Sequence, residues 1–197
     1  MAFVRTAKNG YQHHLGQWRG VSFHHVHAHQ EGSGHKSNGS TMSGDGSLPP
    51  LIFPSFELKI QHNEASTRIF DPVRKRYVIL TPEEWVRQHC LHWIVSRGYP
   101  MSRCSVERLV DRSTAAPSQR FDLLWRDASL APFLLIECKS ASTAINDATL
   151  RQTAWYNLTL KAPYILLTNG LTAFCARIAE DGSIEPLTDI PDYSLAG

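Results

Sequence analysis

Three consecutive residues, Glu137, Cys138 and Lys139, end an apolar run that begins at Leu134. Because side chains alternate between the two faces of a strand, Glu137 and Lys139 would share one face and Cys138 would occupy the other. Burying two charged groups at the end of a core strand costs several kcal/mol unless they are paired or bind a metal. This cost indicates a functional site. The simpler alternative is a surface ion pair worth about 0 to 1 kcal/mol.

A further acid, Asp122, interrupts a second apolar stretch at 120–126. The segments 120–126 and 133–139 are connected by a turn-rich sequence, so they pair most simply as a hairpin. Adjacent strands lie about 4.8 Å apart, which would bring the carboxylates of Asp122 and Glu137 together on one face.

A facing pair of carboxylates predicts a metal site. Two carboxylates about 4 Å apart repel by roughly 1 to 4 kcal/mol, and a divalent cation reverses the sign of that interaction. Hard oxygen ligands favour Mg²⁺, or Mn²⁺, over zinc. The backbone carbonyl of Cys138, whose side chain would face away, is a natural third ligand.

The elements that must position these residues follow from periodicity and turn signals. Thr81 is the expected N-cap of a helix from Pro82 to about Arg97, with Glu84 closing a capping box, and Asn146 is the expected N-cap of a second helix over 147–161. The predicted strands are 56–60, 67–70, 77–80, 104–110, 120–126, 133–139, 164–168, 172–178 and 184–187. Consecutive strands followed by a crossover helix indicate an α/β fold with a mixed sheet and helices packed on it.

Composition changes sharply near position 48. The first 48 residues hold eight of the twelve glycines and seven of the ten histidines, so they are expected to form a disordered tail, or an over-long N-terminus with Met42 as the true start. The tail carries four of the 20 Lys and Arg residues and two of the 18 acids, which leaves a formally neutral domain at 49–197. No apolar run approaches the roughly 20 residues that span a bilayer, and no secretory signal is present, so a soluble cytoplasmic protein is expected. The four widely spaced cysteines are expected to be free thiols.

The motif around the acids resembles that of the PD-(D/E)xK nuclease superfamily. Asp122 and the Glu137-Cys138-Lys139 triplet stand at the motif positions, although Phe121 precedes Asp122 where the motif's name calls for proline. Gln152 and Tyr156 on the following helix are spaced i, i+4 and would share one helix face. With these two residues the chain is similar, over about 49–193, to the N-terminal nuclease domain of type I restriction enzyme R subunits in a standalone short form.

The resemblance implies a restriction-endonuclease-like αβββαβ core, here with an N-terminal β-hairpin extension. It also implies that Asp122 and Glu137 hold Mg²⁺, while Lys139 positions or activates the attacking water. Gln152 and Tyr156 would position the phosphate or the metal-bound water, and Glu107 could add a metal ligand or simply lie on a solvated face. Arg74, Lys75 and Arg76 form the only basic run outside the tail; they are a candidate nucleic-acid contact or, alternatively, a solvated hairpin turn.

The expected function is Mg²⁺-dependent endonucleolytic cleavage of DNA. Expected partners are DNA and either a second copy of the chain or restriction-system subunits, because cutting both strands normally takes two sites. The alternative is a non-catalytic nucleic-acid-binding or assembly module that retains the fold and needs a partner, since the neutral domain lacks the basic excess typical of strong non-specific DNA binding.

Overall fold

A computed structural model describes residues 48–106, 109–110 and 119–196. Residues 1–47, the predicted tail apart from Leu48, lie outside the described part. In chain order the elements are β1 (Ile60–His62), β2 (Thr67–Asp71), β3 (Arg76–Ile79), α1 (Pro82–Ser96), β4 (Cys104–Val106), β5 (Leu109–Val110), β6 (Gln119–Arg120), β7 (Leu123–Arg126), β8 (Pro132–Cys138), α2 (Asp147–Leu160), β9 (Tyr164–Thr168), β10 (Ala173–Ile178) and β11 (Ile184–Leu187). Among the described residues, no helix is both long enough and apolar enough to cross a bilayer.

A six-stranded mixed sheet forms the centre of the molecule, with strand order β11-β10-β9-β8-β7-β4. Only the β8–β9 pair is parallel among these neighbours, and α2 is the crossover that connects the two strands. The predicted α/β class, with a mixed sheet and an αβββαβ order, is therefore confirmed.

The predicted N-terminal β-hairpin extension is part of a three-stranded antiparallel sheet, β1-β2-β3, and its three strands correspond to those predicted at 56–60, 67–70 and 77–80. Its first strand lies at Ile60–His62 instead of the predicted 56–60. The difference arises at the β1–β2 turn, where the Asn63 side chain accepts hydrogen bonds from the backbone amides of Ala65 and Ser66. That local turn fixes which residues can pair, because it determines the hairpin register.

Strand lengths around the site also differ from the prediction. The single strand expected at 104–110 is divided: β4 joins the main sheet, and β5 pairs with β6 in a separate two-stranded unit. The strand expected at 120–126 likewise enters the main sheet only at Leu123, and Asp122 lies in a bend immediately before it. A bend at this point ends the β7 ladder and leaves Asp122 just before the first residue of that strand.

The sheet separates two apolar clusters. One cluster includes Leu134, Ile136 and Cys138 of β8 and packs beneath α1. The other includes Leu124 and Leu135, together with Leu150 of α2. The alternation of β8 therefore sends successive side chains to different helices, as strand geometry requires.

The start of α1 agrees with the prediction in part. The Thr81 hydroxyl accepts a hydrogen bond from the Glu84 amide at 3.0 Å, and Pro82 occupies the first turn. The Glu84 carboxylate does not close the expected capping box, because it accepts hydrogen bonds from Arg87 and from Gln88. Asn146 caps α2 as predicted and forms a reciprocal capping box with Thr149.

Candidate active site

The strand register places the two predicted acids next to each other. Leu123 pairs with Ile136 in the antiparallel β7–β8 ladder, and continuing that register by one residue sets Asp122 opposite Glu137. Directly opposite residues share a face, with Cβ atoms about 4.5 to 5.5 Å apart. The two acids therefore continue the apolar pair Leu124–Leu135 toward the end of the sheet, on the side that α2 covers.

The environment of the two acids opposes their ionisation. Glu137 is only 5% exposed. Burial, followed by the neighbouring Glu137 carboxylate, raises the pKa of Asp122 to about 7, although the Cys138 amide that donates to it acts in the opposite direction. Burial also raises the pKa of Glu137, against the stabilising charge of Lys139. Such a pair is costly when both members are ionised, and this is the condition that a bound cation would relieve.

Lys139 lies between the acids and helix α2. Its ammonium donates hydrogen bonds to Glu137 Oε1 at 2.6 Å and to Gln152 Oε1 at 3.2 Å, and its backbone amide donates to the Thr168 carbonyl at 2.8 Å. Burial disfavours the charged ammonium, but the carboxylates of Glu137 and Asp122 outweigh it and raise the pKa of Lys139. Lys139 is thus a fixed cation at neutral pH.

Cys138 contributes backbone to the site and its side chain to the core. Its amide donates to Asp122 Oδ2 at 2.6 Å. The N–H and C=O of one strand residue point to the same side, so the Cys138 carbonyl is also directed toward the Asp122 side. The thiol is fully buried and hydrogen-bonds with Cys90 of α1; this bond and burial raise its pKa. Within the described part of the chain all four cysteines are free thiols, as predicted.

One acid near the site is absent from the sequence-based set. Glu83, an exposed residue in the first turn of α1, adds negative charge that raises the pKa values of Asp122, Glu137 and Lys139. In the sequence, Glu83 stands in Thr81-Pro82-Glu83-Glu84, a pattern that predicts a helix start and gives no sign of proximity to the acids. The N-terminus of α1 therefore borders the candidate site electrostatically.

A buried charge cluster anchors this helix to the N-terminal sheet. Arg87 of α1 donates to Asp71 Oδ2 at 2.7 Å and binds Glu84 through two nitrogens. Arg74 Nη1 lies 3.4 Å from Asp71 Oδ2 and 3.6 Å from Glu84 Oε2. The exposed fraction of Asp71 is 0% and that of Arg87 is 1%. Burial disfavours the charge of Arg87, but Glu84 and Asp71 outweigh it and raise its pKa.

The remaining predicted residues fall in different places. Glu107 and the Tyr156 side chain lie outside the described residues. Arg74 belongs to the buried charge cluster, whereas Lys75 is exposed at the turn between β2 and β3 and Arg76 is exposed as the first residue of β3. The structure thus brings together Asp122, Glu137, Lys139 and Gln152, and their catalytic roles stay predictions.

The oxygen donors of the site fit a hard divalent cation. Within the described ranges there is no cluster of three or more His, Cys, Asp or Glu side chains suited to a metal. Two carboxylates and a backbone carbonyl would complete the coordination only of an ion that keeps several water ligands, as Mg²⁺ usually does in proteins. A divalent cation held between the two acids would replace their mutual repulsion by attraction.

Comparison with known proteins identifies one family. The family model described as "Type I restriction enzyme R protein N terminus (HSDR_N)" matches residues 82–191, which is more than half of the chain. The match spans α1, the candidate site and all of the last three strands. No curated protein matches the sequence.

Proposed function

This chain belongs to the type I restriction enzyme R protein N-terminus family, and on that premise we propose that it is a Mg²⁺-dependent DNA endonuclease domain. The observation that carries the proposal is the facing pair of half-buried Asp122 and buried Glu137, with Lys139 bonded to both Glu137 and Gln152. The family itself supports the coarser statement, a nuclease-like region of a restriction enzyme R subunit.

In this proposal Asp122 and Glu137 hold the cation, and the Cys138 carbonyl completes the protein's share of its ligands. When bound, the ion would neutralise the two acids and act as a Lewis acid on the scissile phosphate. Mn²⁺ offers the same preference for oxygen and is the expected substitute.

Lys139 acts as a cation rather than as a base. A lysine ammonium is charged at neutral pH, so Lys139 can offset the charge that grows on the phosphate during hydrolysis. The hydrogen bonds to Glu137 and Gln152 fix the direction of the ammonium before substrate arrives, so little reorganisation is needed. Gln152 thereby positions Lys139, and Tyr156 is proposed to contact the phosphate or the attacking water.

The test is cleavage of supercoiled plasmid by the full chain with Mg²⁺ or Mn²⁺, with EDTA as the metal-free control. Lys139→Ala is expected to lower the nicking rate about 10²- to 10³-fold, by the loss of one preorganised charge. Lys161→Ala, at an exposed lysine outside the site, is the matched control and should cleave at the wild-type rate. Wild-type protein that leaves plasmid intact with either metal, or equal rates for the two variants, would refute the endonuclease proposal.

A further inference from the structure

The N-terminal sheet has two chemically different faces. Its inner face carries Ile69 and Asp71, both fully buried against the rest of the domain. The register of the three strands places six alternating residues on the outer face: Lys59, Gln61, Arg68, Phe70, Tyr77 and Ile79. We refer to these six residues as the outer face.

The outer face combines aromatic rings with cations. Phe70 and Tyr77 are cross-strand neighbours whose ring centroids are 5.3 Å apart, and Lys59 Nζ lies 5.7 Å from the centroid of the Phe70 ring. Arg68 is exposed on the central strand, and Ile79 beside it is 58% exposed. None of the six residues is an acid, and the exposed Lys75 lies at the adjacent β2–β3 turn.

We propose that the outer face binds an unpaired DNA strand, with bases on the Phe70 and Tyr77 rings and phosphates on Lys59 and Arg68. This inference deepens the proposed function, on which the choice of DNA rests. Aromatic rings can stack on any base, but only when the base is not enclosed in a duplex. The charge complementarity of the face favours a phosphate backbone over an apolar protein surface.

The same sheet is tied to the candidate active site. Asp71, on the inner face of β2, is bonded to Arg87 of α1, and that helix packs on β8, the strand that carries Glu137. A DNA strand held on the outer face would therefore be bound to a sheet that a buried charge cluster joins to α1, and α1 packs on the central sheet that carries the acids.

The experiment measures binding alone, in EDTA, so that cleavage plays no part. A fluorescently labelled oligothymidine of about 16 nucleotides is titrated with the full chain and followed by anisotropy, beside the same strand annealed to its complement. Phe70→Leu keeps an apolar side chain but removes the ring, and it is expected to weaken single-strand binding about 5- to 20-fold. Phe56→Leu, at an aromatic residue that contacts His89 and His92 instead, should leave the affinity unchanged.

Charge is tested separately by the salt dependence. Each phosphate contact on a single strand contributes about 0.7 to the slope of log affinity against log salt, so Lys59→Gln/Arg68→Gln should reduce that slope by about 1.4. The matched double variant Lys161→Gln/Arg177→Gln removes the same charge from exposed positions elsewhere and should change the slope far less. Circular dichroism melts verify that each variant is folded.

Two results would overturn the inference: single-strand affinity weaker than about 10⁻⁴ M, or equal losses in the outer-face and control variants. Either one would assign the face to a protein partner or to a second copy of the chain. Binding that follows the expected pattern in a protein that never cuts DNA would uphold this inference and remove only the endonuclease proposal. If the protein cleaves DNA but the outer-face variants bind single strands as tightly as the wild type, the endonuclease proposal is upheld and this inference is refuted.

Discussion

Replacing Arg87 by methionine should destabilise the fold strongly. The substitution keeps an unbranched side chain in a position that is 1% exposed but removes the charge that faces Asp71 and Glu84. Asp71 is completely buried, and Arg74 would be left as the nearby cation at 3.4 Å. Removing one partner of a buried ion pair costs about 3 to 5 kcal/mol because the other charge is left uncompensated. The free energy of unfolding of a typical domain is only about 5 to 15 kcal/mol.

The assay is urea unfolding of the full chain, monitored by tryptophan fluorescence and circular dichroism. A loss of about 3 to 5 kcal/mol in the free energy of unfolding corresponds to a melting temperature lowered by about 6 to 20 °C. Arg97→Met is the matched control, because Arg97 pairs with Asp189 at a site where the two side chains are 39% and 41% exposed. Exposed pairs contribute about 0 to 1 kcal/mol, so this variant should unfold close to the wild-type midpoint.

The pH dependence of the Arg87→Met effect gives a second, independent check. Burial raises the pKa of Asp71, but the Arg74 amide and Arg87 outweigh it, so the folded-state pKa lies below the ordinary value. Stability from this group is therefore present at pH values above the unfolded pKa near 4 and is lost as the pH falls below it. Without Arg87 that contribution shrinks, so the penalty should be larger at pH 7 than at pH 4. A penalty equal to that of Arg97→Met, or one that grows on acidification, would refute the reasoning.

Three further outcomes are expected. Asp122→Asn should stabilise the metal-free protein at pH 8 by a few kcal/mol and much less at pH 4. The reason is that the pKa of Asp122 in the folded state is raised to about 7, so the stability of the wild-type protein falls as the pH rises from about 4 to 7. A lower urea midpoint for the variant than for the wild type at pH 8 would contradict this. Gly170→Ala should lower the melting temperature more than Gly98→Ala does. Both glycines have positive φ, but only at Gly170 would the new Cβ lie 2.7 Å from a Leu51 methyl. Equal shifts in melting temperature for the two variants would argue against that clash. Cys138 should resist alkylation in native buffer and react in denaturant, since its thiol is fully buried with a raised pKa; mass spectrometry of the labelled peptides measures this, and rapid native labelling would contradict it.

Local patterns predicted the arrangement around β7 and β8 well. Strand alternation and a short hairpin connection are enough to set Asp122 opposite Glu137 and to send Cys138 to the other face, because both rules act over a few residues. The N-caps Thr81 and Asn146 followed from equally local chemistry.

Features that depend on distant partners were not predictable. Glu84 was expected to close a capping box, but Arg87 and Gln88 bind its carboxylate within a cluster completed by Asp71 of β2. Glu83 raises the pKa values of Asp122 and Glu137 through space, from the first turn of a helix that packs on the sheet. No spacing in the sequence encodes that packing, since it depends on how the helix and the sheet bury their apolar faces together.

The two halves of the candidate site differ in contact order. The acids meet across a hairpin whose turn is confined to 127–131, whereas the Lys139 backbone is held by Thr168 through the parallel β8–β9 pairing, which requires the whole α2 crossover. Closing the longer loop costs more chain entropy, and parallel pairing is slow for the same reason. During folding the facing pair of carboxylates and the local Lys139–Glu137 ion pair are therefore expected to form first, and the Lys139 ammonium gains its second partner, Gln152, only when the crossover closes.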